Sequence, residues 1–156
     1  MHALTRLTST VAAVALAASG IAGVAAGAPS GGAPILQAPV AGSLPTDAAV
    51  FGVAPGGLPW VVETGSTTLR ADGRLDVKVE GLIIPDRGAN PLPALAASVV
   101  CNGAVVATTP TVPFSTAGDA RIRTSVSLPE RCLAPAVLLN PNGNAAVFIG
   151  VTGTEA

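Results

Sequence analysis

The chain has 156 residues, a formal net charge of −1 at pH 7, 11% charged residues, one histidine and no tyrosine. The histidine, His2, and the only methionine, Met1, fall in what reads as an export signal, so the remainder has no imidazole and a single lysine, Lys78. This excludes Ser-His-Asp and Cys-His catalysis and leaves zinc or transition metals only carboxylates and two cysteines as ligands.

Taken in chain order, Arg6 marks a short basic start, residues 11–18 (VAAVALAA) form an apolar run, and small residues fill 20–28. That is the order of a secretory signal peptide, predicted over residues 1–27 with cleavage after Ala26 or Gly27. The apolar run is mostly alanine, which makes a weak spanning helix, and cleavage is the expected outcome. No cysteine lies near the cut to carry a lipid, and no second long apolar segment follows, so no membrane span is expected after cleavage. The piece Leu44-Pro45-Thr46-Asp47 superficially matches a cell-wall sorting signal but lacks its final glycine and the apolar tail.

Residues 28–59 hold six prolines and six glycines. Proline forbids a helix interior and removes a ladder donor from a strand. Residues 28–57 are therefore expected to be a flexible Pro/Gly/Ala-rich spacer, with 48–53 able to dock as an irregular edge strand.

Residues 58–156 carry the signature of short strands. A first strand is predicted over 60–63, continuing through 67–70 to the turn Ala71-Asp72-Gly73. Leu75, Val77 and Val79 alternate with Asp76, Lys78 and Glu80, the period of a half-buried strand. Gly81 marks a bulge before 82–84, and 85–93 is a loop. Asn102-Gly103 between 96–101 and 104–108 is the strongest hairpin signal in the chain. Residues 120–128 alternate again, with Arg121 and Arg123 outward, and 135–139 and 145–152 flank the turn at 140–144. About seven strands without a helix predict an all-β domain, an immunoglobulin-like antiparallel β-sandwich over 58–156. A closed barrel fits the same pattern. Trp60, Phe114 and Phe148 are the aromatic anchors of an otherwise aliphatic core. Cys101 and Cys132 form an even pair in an exported chain and predict one disulfide, closing a loop of 32 residues. By chain entropy it contributes roughly 3.5–4 kcal/mol.

Candidate chemistry is sparse. Lys78, flanked by Asp76 and Glu80, reads as part of a solvated strand face. Nine carboxylates include Asp72, Asp86 and Asp119 in turns, where Asp serves the backbone, and no pair recommends itself for glycoside cleavage. Residues 86–90 match no calcium-loop spacing. After the signal the chain has seven basic and nine acidic residues, and no basic cluster or aromatic stacking platform is expected, which argues against nucleic acid. Arg121 and Arg123 are expected to face Asp76 and Glu80 if their strands are neighbours, each pair contributing about 0.2–1 kcal/mol. No catalytic residue, cofactor or metal site is predicted.

Several segments resemble a group of small uncharacterised exported proteins of high-GC, actinobacterial type. They are Ala71-Asp72-Gly73-Arg74, Gly81-Leu82, Val100-Cys101, Gly118-Asp119-Ala120, Leu128-Pro129, Cys132-Leu133-Ala134-Pro135 and Val151-Thr152-Gly153. The resemblance spans about half of the chain, and the cysteine spacing with the Cys-x-Ala-Pro piece is its most specific part. It implies an exported sandwich with one disulfide and transfers no activity. The function expected from the residues is a non-enzymatic binding or structural domain of the cell envelope or extracellular space. Its partner would be an envelope component or another protein, met through loops 85–94 or 110–118. The alternatives are a carrier of a small apolar ligand between sheets, or a protease inhibitor presenting 110–114 or 128–131.

Overall fold

A computed structural model describes residues 31–154; the signal peptide expected over 1–27 lies outside them. The described chain is all-β. Its strands are β1 (Pro34–Gly42), β2 (Ala54–Pro55), β3 (Thr64–Arg70), β4 (Arg74–Glu80), β5 (Ala94–Cys101), β6 (Ala104–Thr108), β7 (Val112–Pro113), β8 (Ala120–Ser125), β9 (Ala136–Pro141), β10 (Val147–Phe148) and β11 (Gly150–Thr152). One 3-10 turn (Pro85–Arg87) interrupts them.

Local chemistry builds the hairpins. Gly73 adopts φ +85° and its N–H closes on the Arg70 carbonyl at 2.9 Å, which turns β3 into β4. Asn102 (φ +57°) and Gly103 (φ +80°) supply the two left-handed residues that a tight β5–β6 hairpin needs. Long-range pairing then joins the strands into one antiparallel sheet in the order β6-β5-β9-β11-β1-β3-β4-β8, with β7 also on β5.

The sheet curls because β1 belongs to both of its halves. From Pro34 to Pro39 it pairs with β3, and from Val40 to Gly42 it pairs with β11. The halves face each other across one core. Leu69, Leu75, Val77, Val79 and Ile122 come from the β3–β4–β8 half, and Leu95, Ala97, Val99, Val137 and Leu139 from the other. Trp60 and Phe114 join that core, their rings 6.5 Å apart. A Cβ on Gly42 would collide with the Trp60 carbonyl, so β1 passes at a distance only glycine permits.

The spacer expected over 28–57 is therefore corrected: residues 34–42 form a strand in the middle of the sheet. The prolines do not prevent it because neither removes a needed donor. Pro34 opens the strand, a position proline tolerates. Pro39 turns its backbone edge away from β3 and toward the end of β11, where its carbonyl accepts the Gly153 N–H at 3.0 Å. Residues 48–53 are no edge strand either. Val50 and Val53 bridge around a tight turn of Phe51 (φ +52°) and Gly52 (φ +80°). Val53 then packs on Val100, Leu138 and Phe148, a second cluster on the outer face of β5 and β9. β2 pairs in parallel with β10 over the same region. Both faces of β5 and β9 are thus buried, which is why they read as continuous apolar runs. Residues 60–63, expected as strand, make only the single bridge Val61–Ile83.

Cys101 and Cys132 are bonded, with Cα atoms 4.8 Å apart, tying the end of β5 to the segment before β9. The Asn102 side chain reinforces this tie: its amide N–H donates to the Arg131 carbonyl at 2.8 Å and its oxygen accepts the Leu133 N–H at 2.9 Å.

Two outcomes check this architecture. Removing residues 1–30 should leave cooperative denaturant unfolding intact, whereas removing 1–42 should abolish it. A spacer at 34–42 would give equal results. Replacing both Cys101 and Cys132 with alanine should lower the unfolding free energy by about 3–4 kcal/mol, read from urea midpoints.

Candidate functional site

Charge is segregated in this fold. No charged residue occurs between Gly88 and Gly118, or between Leu133 and Thr154, so β5, β6, β7, β9, β10 and β11 carry none. The charged half is β3–β4–β8. Alternation buries Leu69, Leu75, Val77, Val79 and Ile122 and turns their neighbours outward. Arg74, Asp76, Lys78 and Glu80 of β4 and Arg121 and Arg123 of β8 point to one surface, joined by Arg70 at the end of β3. Five of the seven basic residues among those described stand on or beside this one face.

The register fixes their pairing. Asp76 lies opposite Arg123, and Lys78 opposite Arg121. Asp76 Oδ2 takes both guanidinium groups, from Arg121 Nη2 at 2.8 Å and Arg123 Nε at 3.1 Å. Glu80, expected near these arginines, instead pairs with Lys78 at 2.8 Å and accepts the Thr64 hydroxyl at 2.9 Å. Arg74 meets Asp72 at 3.1 Å, and Arg70 donates to the Gly32 carbonyl at 3.2 Å. Between the strands' outward side chains lies an open groove of about 490 Å³, with Ser66, Thr68 and Ser125 in its lining.

Three carboxylates accompany these five cations, and each titrates below its ordinary value. At Asp76 partial burial pushes the pKa up, but the hydrogen bonds and charges of Arg121 and then Arg123 hold it below 3.8. Lys78 and then Thr64 lower Glu80. The Gly32 N–H and then the Arg74 N–H lower Asp72. The anions therefore stay ionised at neutral pH, and the face keeps an excess of positive charge. One carboxylate oxygen shared by two guanidinium groups leaves most of their ten N–H donors unused. Those forks suit a planar oxyanion such as carboxylate, phosphate or sulfate.

The loops expected to bind lie together at one end. Asn90, 1% exposed, stitches them: its amide donates to the Leu92 and Ser115 carbonyls at 2.7 and 2.8 Å, and its own N–H reaches the Thr116 carbonyl at 2.8 Å. Beside them a second depression of about 490 Å³ adjoins the start of β8, with Val79, Pro113, Phe114 and Ala120 as its apolar wall and Lys78 and Arg121 at its rim. Residues 128–131 lead into the Asn102 clamp, where Leu133 is 57% exposed and Ala134 turns the chain at φ +47°. Residues 86–90 begin with the 3-10 turn, and among the described residues no three His, Cys, Asp or Glu side chains gather into a metal-binding group.

Sequence reasoning missed the cation cluster. Each outward residue was visible from its parity, but the cluster exists only once β3, β4 and β8 are set side by side.

The Asp76 pair gives a pH test. A carboxylate whose pKa is depressed on folding stabilises fully above its unfolded value and loses that contribution as pH falls through the folded value. Wild type should exceed Asp76→Asn in melting temperature at pH 7 by a margin worth about 0.2–1 kcal/mol, since the pairs are exposed. That margin should shrink below about pH 4. A margin that does not change between pH 7 and pH 2 would mean the arginine pairing is not its source.

Comparison of the chain with protein-family models, curated proteins and solved structures finds no match.

Proposed function

We propose that this is an exported, non-enzymatic binding domain that holds an anionic ligand of the cell envelope or extracellular space on the outward face of β3–β4–β8. The observation that carries the reading is the gathering of Arg70, Arg74, Lys78, Arg121 and Arg123 on one surface of a chain whose net charge is −1. Export is supported by the residue order of 1–27, and the Cys101–Cys132 bond suits an oxidising compartment. An immunoglobulin-like sandwich is the fold family that accords with two antiparallel half-sheets sharing a first strand. The non-enzymatic part rests on composition: beyond the signal the chain has neither histidine nor tyrosine, and its one lysine is paired with Glu80.

The test is retention on immobilised dextran sulfate at pH 7, compared with uncharged dextran. Retention is expected at about 20 mM salt and release by about 300 mM, where screening shortens to a few ångströms. Arg121→Ala with Arg123→Ala should lose it, and Asp76→Asn, which frees both guanidinium groups, should strengthen it. No retention of the wild type, or retention indifferent to the arginines, would overturn the reading.

A further inference from the structure

We propose that β8 is a docking edge for an extended acidic segment of another protein, which adds to the sheet as a further strand with carboxylates on Arg121 and Arg123. This deepens the anion-binding reading and rests on it.

Three observations converge on β8. First, it is a terminal strand of the sheet. Val126 donates to the Gly73 carbonyl at 2.9 Å, which sets the phase of the ladder. Antiparallel pairing alternates, so Thr124 and Ile122 also turn their backbone groups to β4, while Arg121, Arg123 and Ser125 turn theirs away. Among the described residues no backbone group meets them on that side. Those three donor–acceptor positions make no backbone bond; just before them the Ser115 N–H donates to the Asp119 carbonyl at 3.0 Å and β7 stands beside the start of β8, so the open run is bounded there and extends toward Ser125.

Second, those same residues carry the surplus charge. A strand added beside β8 places alternate side chains directly opposite Arg121 and Arg123, within cross-strand reach. Both guanidinium groups lean back on Asp76, which takes one N–H from each, and both stay exposed with the remaining donors unused. Third, the side chains between those positions point the other way, toward the core side of the edge. There the depression walled by Val79, Pro113, Phe114 and Ala120 offers an apolar seat at the start of β8. The preferred ligand is thus an extended segment in which acidic and apolar residues alternate.

Charge also selects the occupant. Pairing β8 with β8 of a second copy would set Arg121 and Arg123 against their equivalents, which is unfavourable. The far edge of the sheet is closed by other means: β6 carries a bulge opposite Val99 and Val100, and prolines 110 and 113 follow it. Among the described residues only β8 presents a regular ladder at a sheet edge, and its arginines repel copies of themselves while attracting carboxylates.

The experiment uses the full protein and a seven-residue peptide of alternating Glu and Val. Controls are a block-ordered peptide of the same composition and an alternating peptide N-methylated on the amides that would face β8. The alternating peptide should bind and slow amide hydrogen exchange at Arg121, Arg123 and Ser125. The N-methylated peptide should bind at least about tenfold more weakly, the loss expected for two or three hydrogen bonds. Ser125→Pro should weaken the alternating peptide relative to Ser125→Ala, which loses the same hydroxyl but keeps the edge N–H. If all three peptides bind alike, or those amides do not respond, the edge proposal fails while anion binding on the face stands. If neither the peptides nor dextran sulfate is held, both readings fail. A dimer through β8 in place of peptide binding would also overturn the proposal.

Discussion

The fold depends on one strand serving two half-sheets. β1 lends its first six residues to β3 and its last three to β11, and among the described residues no other strand pairs with both halves in that way. The demand this makes on the sequence is severe. The strand must bend, must pass Trp60 at glycine distance, and must carry two prolines without losing a donor. Each requirement is met at a particular residue: a register irregularity between Pro34 and Leu36, Gly42 at the close approach, and Pro39 at a row where β11 has already ended.

The two halves then specialise. The β5–β9 half is covered on both faces, inside by the main core and outside by residues 50–57 and β10, so it needs no charge and has none. Its polar side chains are consumed internally, as Ser98 and Asn140 show, bonded to each other at 2.7 Å. The β3–β4–β8 half has one wet face and must place all its solubility there. Short outward side chains would satisfy that need. Arginines arranged two to a carboxylate do more, because they leave donors pointing at solvent.

Local signals were legible and long-range ones were not. Asn102-Gly103 announced its hairpin, the alternations of 75–80 and 120–128 announced their strands, the second of which ends at Ser125, and the cysteine pair announced its bond, because each is decided by a short stretch of sequence. β1 was hidden because proline is penalised by type, whereas its real cost depends on which way the missing N–H would point, a property of the partner strand. Asn102 reads from sequence as a turn residue, and its second task, holding 131–133, depends on where the disulfide brings that segment. The cation face stayed hidden for the same reason: Asp76 looks equally able to meet Lys78 along its own strand or Arg123 across the sheet, and only the register decides.

The position of β1 also dictates an order of assembly. A ribosome releases β1 among the first strands, yet Val40 must wait for Thr152 before its second edge is paired. Until then a nascent chain has hairpins but two unjoined half-sheets, and its central strand offers an open edge to chaperones or to neighbouring chains. Closure is a late, long-range event of the kind that slows folding. A polypeptide built this way stays threadable for almost the whole of its synthesis, and a stalled or clipped chain is left with a permanently unfilled slot beside β1.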